Sequence, residues 1–460
     1  ASLNATDEQL DFSIIYTSAK MGISRIEPND PDQDMKPVLD LIVDKVDADE
    51  GDPEGAFQML VSSIDYSDYL GRIAIGKITR GSVNMKGSYT LIKRSGDKEQ
   101  FKISKLLVFE GLQQVETEIA VMGDIIGIAG MKDVDIGETI TDRTNPEALP
   151  LIEIDEPTLS INFMTNTSPF CGKEGKFVTS RQLRDRLFKE IKSNVSLRVS
   201  ETDFQDTFKV SGRGELHLTI LIETMRREGY EFSISRPEVV MKEENGKKLE
   251  PEEFVTLDME EAYMGTVMET MGKRKATLKN MAPMGEGSLR LEFVVPTRGL
   301  FGFTSEFLTL TKGTGIINRN FHNFIPFCGD IASRINGVLI SLETGKTTGF
   351  SLFNLQERGN LLVGPGQQVY SGQIVGENNK DNDLVVNVCK EKKLTNMRAS
   401  GSDVNVILTP PKNMSLEQIL GFLNEDELAE ITPTSIRLRK RLLDENARKR
   451  DSRSRTKATV

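Results

Sequence analysis

The order of hydrophobic and polar residues changes its period several times along the chain. In the stretch 47–145, short runs such as RIAIGKITRG and DIIGIAG alternate apolar and polar residues, and glycines or charged residues separate the runs. Alternation with a period of two is typical of strands that bury one face. Many short strands with glycine-rich turns and little helix predict a β-barrel over these residues.

Two later stretches, 150–240 and 250–325, mix strand and helix patterns in the same order. In the first, the strand LSINFM precedes a helical pattern that follows a Ser/Thr cap, and the strand DTFKVSGRG precedes the helical pattern ELHLTILIETMRREG. EFSIS closes the unit as a strand, which gives the β-α-β-β-α-β order of a ferredoxin-like domain. We therefore predict two ferredoxin-like α+β domains in tandem, joined by the polar segment EENGKKLEPEE.

The two ends of the chain differ from its middle. Residues 1–46 contain a short polar helix and the apolar strand FSIIYT, and they look like the C-terminal remnant of a preceding domain. Residues 326–430 predict a β-rich C-terminal domain that ends in one or two acidic helices over MSLEQILGFLNEDELAEI, and residues 431–460 predict a basic tail. The fold class is therefore a multidomain chain of α+β and β domains.

The composition describes a soluble chain of several domains. It has 460 residues, 38% hydrophobic and 28% charged, and no run approaches the roughly 20 apolar residues that a membrane helix needs. The first residues lack the apolar segment of a secretory signal. Cys171, Cys328 and Cys389 are far apart and odd in number, so we expect neither a disulfide framework nor a zinc site, in keeping with a reducing cytoplasm.

The charge is distributed unevenly along the chain. The net charge is −11, yet the stretch from Ile436 to Val460 has ten Lys/Arg and three Asp/Glu, a net charge of +7. An acidic body with localised basic segments can bind RNA through those segments. The tail cations Arg437, Arg439, Lys440 and Arg441 are therefore candidate RNA contacts, with a solvated tail as the alternative.

The sequence contains no complete P-loop, metal-binding motif or catalytic constellation. Gly345-Lys346-Thr347 resembles the end of a P-loop, but the position five residues earlier is Ile340, where a glycine would let backbone N–H groups wrap a phosphate. The segment GKEGKF fails similarly, because its last residue, Phe177, cannot ligate magnesium. His217 and His322 are the only histidines and form no ligand pair. We expect no catalytic residue and no metal site in this chain.

Two further basic segments are candidates for RNA contact. The polar segment that begins at Lys390 mixes cations, which suit phosphates, with Thr, Asn and Ser, which suit 2′-hydroxyls. Its candidate contacts are Lys390, Lys392, Lys393, Asn396 and Arg398. Lys273 and Arg274 lie at a predicted helix end, where cations also complement the helix dipole. A solvated connection and a helix-end role are the respective alternatives.

Several longer motifs resemble one protein family. YTSAKMG resembles the last guanine-recognition loop of translational GTPases, and GRIAIGKITRGSVNMKG resembles their barrel domain. VSGRGELHLTILIETMRREGYE and PTRGLFGFTSEFLTLTKGTG are similar to the third and fifth domains of elongation factor G. NGVLISLETGKTTGFSLFNLQERG, KKLTNMRASG and ITPTSIRLRKR are similar to the C-terminal domain peculiar to the BipA/TypA family. Over nearly its whole length, the chain resembles this family of ribosome-binding translational GTPases.

The resemblance implies a function and its partners. The family hydrolyses GTP with Mg²⁺ and meets ribosomal RNA, A-site tRNA and ribosomal proteins on the ribosome, in translation, ribosome assembly or stress adaptation. A cytoplasmic monomer is expected. Ser18, Ala19 and Lys20 match the guanine loop, in which the N–H of Ala19 would contact the guanine carbonyl oxygen. The segment 390–401 matches a loop that the family holds near the tRNA acceptor end.

The same resemblance predicts that GTP hydrolysis resides in a missing N-terminal part of the GTPase domain. The family's P-loop, switch segments and NKxD loop would all precede Ala1. The alternative is a non-catalytic RNA- or ribosome-binding adaptor. A GxxxxGK[ST] motif and an NKxD motif encoded upstream of Ala1 would distinguish the two.

We predict that this chain neither binds GTP with micromolar affinity nor hydrolyses it. Phosphoryl transfer needs a phosphate cradle, magnesium ligands and a positioned water, and none of these is evident in the sequence. Isothermal titration with GTP and Mg²⁺ should give no more heat than titration with ATP, the control nucleotide. Tight, magnesium-dependent binding of GTP in preference to ATP would contradict the prediction.

Overall fold

The chain forms two compact units, Ala1–Glu153 and Ile154–Val460. A computed structural model describes residues 6–47, 51–111, 113–152, 156–244, 246–285, 287–329, 331, 334, 336–391 and 407–458. Strands outnumber helices throughout these residues. The prediction of a β-rich multidomain chain is therefore confirmed.

Four short elements open the first unit. They are α1 (Asp7–Leu10), β1 (Tyr16–Ser18), β2 (Ile23–Arg25) and α2 (Lys36–Lys45). β1 and β2 form an antiparallel pair in which Tyr16 lies opposite Arg25. Pro37 lies in the first turn of α2, where its lack of an N–H costs no helix hydrogen bond. Of the predicted strand FSIIYT, only the last two residues are a strand.

The rest of the first unit is antiparallel sheet. Its strands are β3 (Gln58–Leu60), β4 (Ser63–Ser67), β5 (Gly71–Arg80), β6 (Ser82–Asn84), β7 (Ser88–Ile92), β8 (Lys98–Lys102), β9 (Lys105–Glu110), β10 (Gln113–Glu116), β11 (Ile119–Val121), β12 (Ile125–Ala129) and β13 (Thr139–Asp142). The main sheet has the order β10-β9-β12-β5-β3-β13-β7-β8, with β4 paired to β5, while β6 pairs with β11. Alternate apolar side chains such as Met59, Ile78 and Leu91 are fully buried, as the period of two predicts.

The second unit begins with a sheet that carries two helices. Its elements are β14 (Leu159–Thr165), α3 (Ser180–Ser193), β15 (Arg198–Glu201), β16 (Thr207–Gly212), α4 (Glu215–Arg227), β17 (Phe232–Ser235) and β18 (Glu238–Val239). The first four strands have the order β15-β16-β14-β17, and β18 pairs with β14. α3 begins at a capping box: the side chain of Thr179 accepts from the N–H of Gln182, and the side chain of Gln182 accepts from the N–H of Thr179.

A second sheet follows with the same succession of strands and helices. Its elements are β19 (Lys242–Glu244), β20 (Lys247–Glu260), α5 (Met264–Lys273), β21 (Thr277–Gly285), β22 (Ser288–Pro296), α6 (Phe303–Leu310) and β23 (Ile316–Pro326), with 3-10 turns at Glu261–Tyr263 and Thr297–Leu300. The four longer strands have the order β21-β22-β20-β23, and β19 pairs with β20. Leu257, Phe303 and Phe307 lie in the core between this sheet and its helices.

The last part of the chain is assembled from short strands and three helices among the described residues. Its elements are β24 (Val338–Ser341), β25 (Gly345–Lys346), α7 (Gly349–Leu355), β26 (Gly359–Leu361), β27 (Gln368–Val369), β28 (Ile374–Asn378), β29 (Leu384–Val386), α8 (Leu416–Phe422), β30 (Glu427–Ile431), β31 (Ile436–Lys440) and α9 (Glu445–Ala458). A four-stranded sheet has the order β26-β28-β24-β29, and β25 pairs with β27.

The β30–β31 hairpin belongs to the first sheet of this unit, although it lies near the end of the chain. β30 pairs with β17, with Phe232 opposite Ile431, so the sheet reads β15-β16-β14-β17-β30-β31. The core of that sheet correspondingly includes Leu420 and Leu438 beside Phe163. Two sequence predictions are therefore wrong: residues 436–440 are a strand, not part of a tail, and the end of MSLEQILGFLNEDELAEI is a strand, not a helix.

Close packing of two glycines joins α8 to the turn before α6. A Cβ on Gly421 would lie 2.6 Å from the Cα and 2.7 Å from the N of Gly302, whose φ is +70°. Both atoms are backbone and cannot move aside as a flexible side chain would. Residue 421 must therefore be glycine because the backbone of Gly302 leaves no room for a Cβ, and not because of its own backbone conformation.

We predict that Gly421→Ala destabilises the second unit by about 1–3 kcal/mol, the usual effect of overpacking. Gly272→Ala is the matched control, because a Cβ there meets open space and the residue lies in α5. The control should be neutral or stabilising by up to about 1 kcal/mol, since alanine favours helix. Thermal unfolding of the two variants measures the difference, and equal midpoints would refute the close-packing argument.

Candidate nucleic-acid interface

Ser18, Ala19 and Lys20 lie together in a tight turn. β1 ends at Ser18, whose carbonyl accepts from the N–H of Met21 at 3.1 Å, and the carbonyl of Ala19 accepts from the N–H of Gly22 at 3.3 Å. Ala19 and Lys20 are exposed, whereas Ser18 is half-buried. The turn can therefore present a backbone edge to a ligand, and its role as a guanine loop stays a prediction.

The two glycine-rich segments that resemble phosphate loops have their polar groups engaged. In GKEGKF, the N–H groups of Gly172 and Gly175 donate to the carboxylate of Glu231 at 2.9 and 3.0 Å. In the other segment, Thr347 is buried and its hydroxyl donates to the carbonyl of Gly364 at 2.7 Å. The N–H and hydroxyl donors that a phosphate would need are thus already hydrogen-bonded to a protein carboxylate or carbonyl.

Lys273 and Arg274 differ in how far they are available. Lys273 is exposed and pairs with Glu269 one turn earlier on α5, at 2.7 Å. Arg274 donates to the carbonyls of Gly299 and Phe301 and forms an ion pair with Glu306 at 2.6 Å. Arg274 therefore holds the turn before α6 together, and the prediction that it contacts RNA is at odds with this geometry.

The predicted tail cations Arg437, Arg439 and Lys440 lie in β31 and face the protein. Arg439 and Lys440 are each 2% exposed. Arg439 donates to the hydroxyl of Thr167 at 3.0 Å, and burial lowers the pKa of its guanidinium. Arg437 is partly exposed, but its guanidinium is engaged by Glu174 and Glu430. Arg439 and Lys440 cannot reach a phosphate while the hairpin is folded, so their assignment as RNA contacts is wrong. Arg441, the next residue, is exposed.

Lys440, itself buried, is the centre of a cluster of one buried and two partly exposed carboxylates. Its ammonium lies 2.7 Å from Asp383, 2.8 Å from Asp426 and 3.0 Å from Glu427. Arg334 makes a two-point ion pair with the same Glu427, which is fully buried. Burial opposes the charge of Lys440, but the charge of Glu427 and the hydrogen bonds to the two aspartates raise its pKa above the ordinary value. Lys440 thus stays charged at every physiological pH.

A second buried cluster surrounds Glu430 on the neighbouring strand. The hydroxyl of Tyr370 donates to Glu430 at 2.7 Å, and Arg437 forms an ion pair with it at 3.1 Å. Arg437 also forms an ion pair with Glu174, in the loop after β14. Burial, followed by the charge of Glu430, raises the pKa of Tyr370 well above its usual range. The hairpin therefore pairs Arg437 with Glu430 and Lys440 with Glu427, whereas Arg439 is buried beside a hydroxyl.

The order of acidic and basic residues in the sequence indicates this pairing of charges across the hairpin, which the net charge of the C-terminal stretch does not show. In the register of the hairpin, Glu427 lies opposite Lys440 and Glu430 lies opposite Arg437. Oppositely charged residues directly across two strands attract each other. Acidic and basic residues placed symmetrically about the Pro-Thr-Ser turn would have predicted a hairpin instead of a helix followed by a tail.

The two ends of the basic segment after Lys390 are held by one short helix. At the start of α7, the hydroxyl of Thr348 donates to the carbonyl of Lys390 at 2.6 Å. At its end, the side chain of Gln356 bonds the backbone of Ile407 at 3.4 Å and of Thr409 at 3.2 Å. Lys390 is exposed. The other candidates, Lys392, Lys393, Asn396 and Arg398, lie outside the described residues.

Helix α9 is a further basic element that follows β31. Its sequence has six Lys/Arg and two Asp/Glu, and Lys449, Arg450 and Arg453 are exposed. Its first turn is fixed, because Asp444 accepts from the N–H of Ala447 and Arg448 donates to the carbonyls of Leu442 and Leu443. The exposed positive charge thus begins at Arg441 and continues along α9.

Among the described residues, no group of three or more His, Cys, Asp or Glu side chains could hold a metal ion. His217 contacts Asn194 at 2.9 Å, and burial lowers its pKa. Within the same part of the chain, every helix is too short or too polar to cross a membrane.

Three segments match the domains of translation factors. Residues 71–141 match the family described as elongation factor Tu domain 2, and residues 247–335 match the elongation factor G C-terminus. Residues 336–445, which include α7 and the β30–β31 hairpin, match the TypA/BipA C-terminal domain. The chain is therefore a translation factor related to elongation factors G and Tu.

Similarity over the whole of this chain makes the family assignment more specific. The chain is 52% identical to the "Large ribosomal subunit assembly factor BipA" of Escherichia coli (strain K12), over 98% of this chain and 75% of that protein. It is 49% identical to the protein of the same name in Haemophilus influenzae (strain ATCC 51907 / DSM 11121 / KW20 / Rd), over 100% of this chain and 75% of the relative. The chain belongs to the BipA/TypA family of translational GTPases.

We predict that Lys440→Met destabilises the second unit by about 1–3 kcal/mol, because the buried Glu427 loses one of its two cations and keeps only Arg334. Arg441→Met is the matched control, and as an exposed substitution it should change stability by less than about 0.5 kcal/mol. Urea unfolding followed by circular dichroism compares the two. A Lys440→Met variant as stable as Arg441→Met would show that the buried cluster is dispensable.

Proposed function

We propose that this chain is the ribosome-engaging part of a BipA-type factor that acts on the large ribosomal subunit, in its assembly, in translation or in stress adaptation. The observation that carries the proposal is the similarity, over nearly the whole of this chain, to proteins named large ribosomal subunit assembly factor. Its partners would be ribosomal RNA, A-site tRNA and ribosomal proteins, and it would act in the cytoplasm as a monomer.

GTP and Mg²⁺ enter the proposal through the family. The relatives are longer than the segment that matches this chain, which spans 75% of their length. We assign GTP hydrolysis to a part of the family's length that this sequence does not span, and we expect no tight nucleotide binding by the chain alone. Ser18, Ala19 and Lys20 would then supply one edge of the guanine site.

Strand order supports the finer assignment of domains. In the first two sheets of the second unit, β14 to β17 and β20 to β23, the strands numbered along each β-α-β-β-α-β succession have the spatial order 2-3-1-4. Four antiparallel strands in this order with two helices are what a ferredoxin-like domain requires. We propose ferredoxin-like domains for both, and the translation-factor barrel for the strands from β3 to β13.

Exposed cations near the C-terminus would make the RNA contact. Burial removes Arg439 and Lys440 from the candidates. Internal ion pairs and hydrogen bonds remove Arg437 and Arg274. The candidates that remain are the segment beginning at Lys390, then Arg441 and α9, with Lys273 as a minor site. RNA phosphates attract Lys and Arg without regard to sequence, so these positions would supply affinity and not base specificity.

We predict that the C-terminal domain, and not the barrel, supplies most of the affinity for ribosomes. Replacing Lys390, Lys392, Lys393 and Arg398 together by Ala should weaken binding and reduce its dependence on salt. The variant would neutralise fewer phosphates, so its binding would release fewer counterions from the RNA. Co-sedimentation with ribosomes at several salt concentrations measures both effects. The matched control replaces four exposed barrel lysines, Lys86, Lys98, Lys102 and Lys132, by Ala.

A chain ended after Asp444 tests α9 in the same experiment. It removes the basic helix but keeps β31, whose loss would expose the core of the sheet. If the barrel variant loses more binding than the quadruple variant of the 390 segment, the C-terminal assignment is wrong. If only the shortened chain loses binding, α9 is the main contact and the 390 segment is not.

A further inference from the structure

The side chain of Arg319 lies where three parts of the second unit meet. Arg319 is in β23 and makes a two-point ion pair with Glu253 of β20, at 2.9 and 3.1 Å. Glu215, the first residue of α4, places its carboxylate 3.8 Å from the same guanidinium. Glu417, in the first turn of α8, is close enough for its charge to raise the pKa of Glu215. These four side chains form the Arg319 junction.

The junction contains three carboxylates and one cation. The side chains of Glu253, Glu215 and Arg319 are only 12%, 14% and 19% exposed. At 3.8 Å the carboxylate of Glu215 is too far from the guanidinium for a hydrogen bond. On α4 itself, the ring of His217 accepts from the N–H of Arg213. With every carboxylate ionised, three negative charges and one positive charge leave a net charge of −2 in a place that little water reaches.

Glu215 is the member of the junction that gains and loses a proton near neutral pH. Burial is the largest cause and, with the charges of Glu417 and Glu253, raises the pKa of Glu215 to about 7 against the opposing effect of Arg319. The positive end of the α4 dipole, like Arg319, favours the ionised form. At pH 7 the protein therefore contains both protonated and ionised Glu215.

Helix α8 connects the junction to a close contact between the first and second sheets of this unit. Four residues after Glu417, Gly421 packs against the backbone of Gly302, in the turn before α6. Leu420 of the same helix lies in one core with Leu221 of α4. A change of charge at the Arg319 junction therefore acts on the contact that joins the two sheets.

We propose that the Arg319 junction is a pH-sensitive latch between the two sheets. When Glu215 is protonated, its carboxyl group does not repel Glu417, and the sheet of β20–β23 stays docked against α4 and α8. When Glu215 is ionised, separation of the two parts lets water reach the carboxylate. Folding raises the pKa of Glu215, so the stability that the protonated group confers is fully present below its ordinary pKa and is lost as the pH rises through about 7. The docked form therefore weakens toward alkaline pH.

The first test fixes the neutral form with Glu215→Gln. Between about pH 6 and pH 8, the unfolding equilibrium constant of the parent should rise by roughly tenfold more than that of the variant. Urea unfolding at several pH values measures both constants. Glu238→Gln is the matched control, because Glu238 is an exposed glutamate of the same unit, and this variant should follow the parent.

The second test detects undocking in the folded protein. The sequence has no tryptophan, so Phe321→Trp places a single indole on β23, two residues from Arg319. Its emission should shift to longer wavelength as the pH rises through about 7 and should stay constant with pH when Glu215→Gln is added. Phe204→Trp is the control, since Phe204 is 78% exposed in the loop between β15 and β16, and it should show no such change.

The midpoint of the fluorescence change distinguishes a latch from a merely structural contact. Glu417→Gln removes a charge that repels ionised Glu215, so it should move the midpoint to lower pH. Loss of the change in Glu215→Gln, together with this shift, supports the latch. A change that persists in Glu215→Gln, or a midpoint that Glu417→Gln does not move, overturns it. Neither result depends on whether the chain binds ribosomes.

Discussion

The ammonium of Lys440 among three carboxylates is the interaction on which the second unit depends. Asp383 lies just before β29, Asp426 and Glu427 are neighbours at the start of β30, and Arg334 adds a second cation to Glu427. A buried charge without a partner costs several kcal/mol, so the hairpin can bury Lys440 only where all of these groups meet. The cluster therefore fixes the place of β31 and, through it, the edge of the whole sheet.

This constraint also decides which charges are available for binding. A chain that is acidic overall keeps part of its positive charge inside, where it neutralises Glu427, Glu430 and Glu174. Among the described residues after β31, the exposed cations are Arg441 and, on α9, Lys449, Arg450 and Arg453. The buried cations of β31 and the exposed cations from Arg441 onward are thus neighbours along the sequence but differ in their exposure to solvent.

Local patterns carried the predictions that succeeded. The spacing of apolar residues and the Thr179 cap located α3, and the period of two located the strands of the first unit, because both depend on neighbours in sequence. The failures came where a distant partner decides the outcome. Nothing in the local sequence shows that Lys440 will meet the carboxylate of Asp383, or that Arg439 will be buried beside the hydroxyl of Thr167.

The pairing of β17 with β30 has a consequence for how the protein is made. At about 5–20 residues per second, synthesis of the roughly 190 residues between these strands takes on the order of 10–40 s. Throughout that time β17, every residue of which is buried in the finished protein, is an open sheet edge. Unpaired edges of this kind recruit other chains. A message truncated anywhere between Ser235 and Glu427 would therefore yield an aggregation-prone product instead of a smaller working factor.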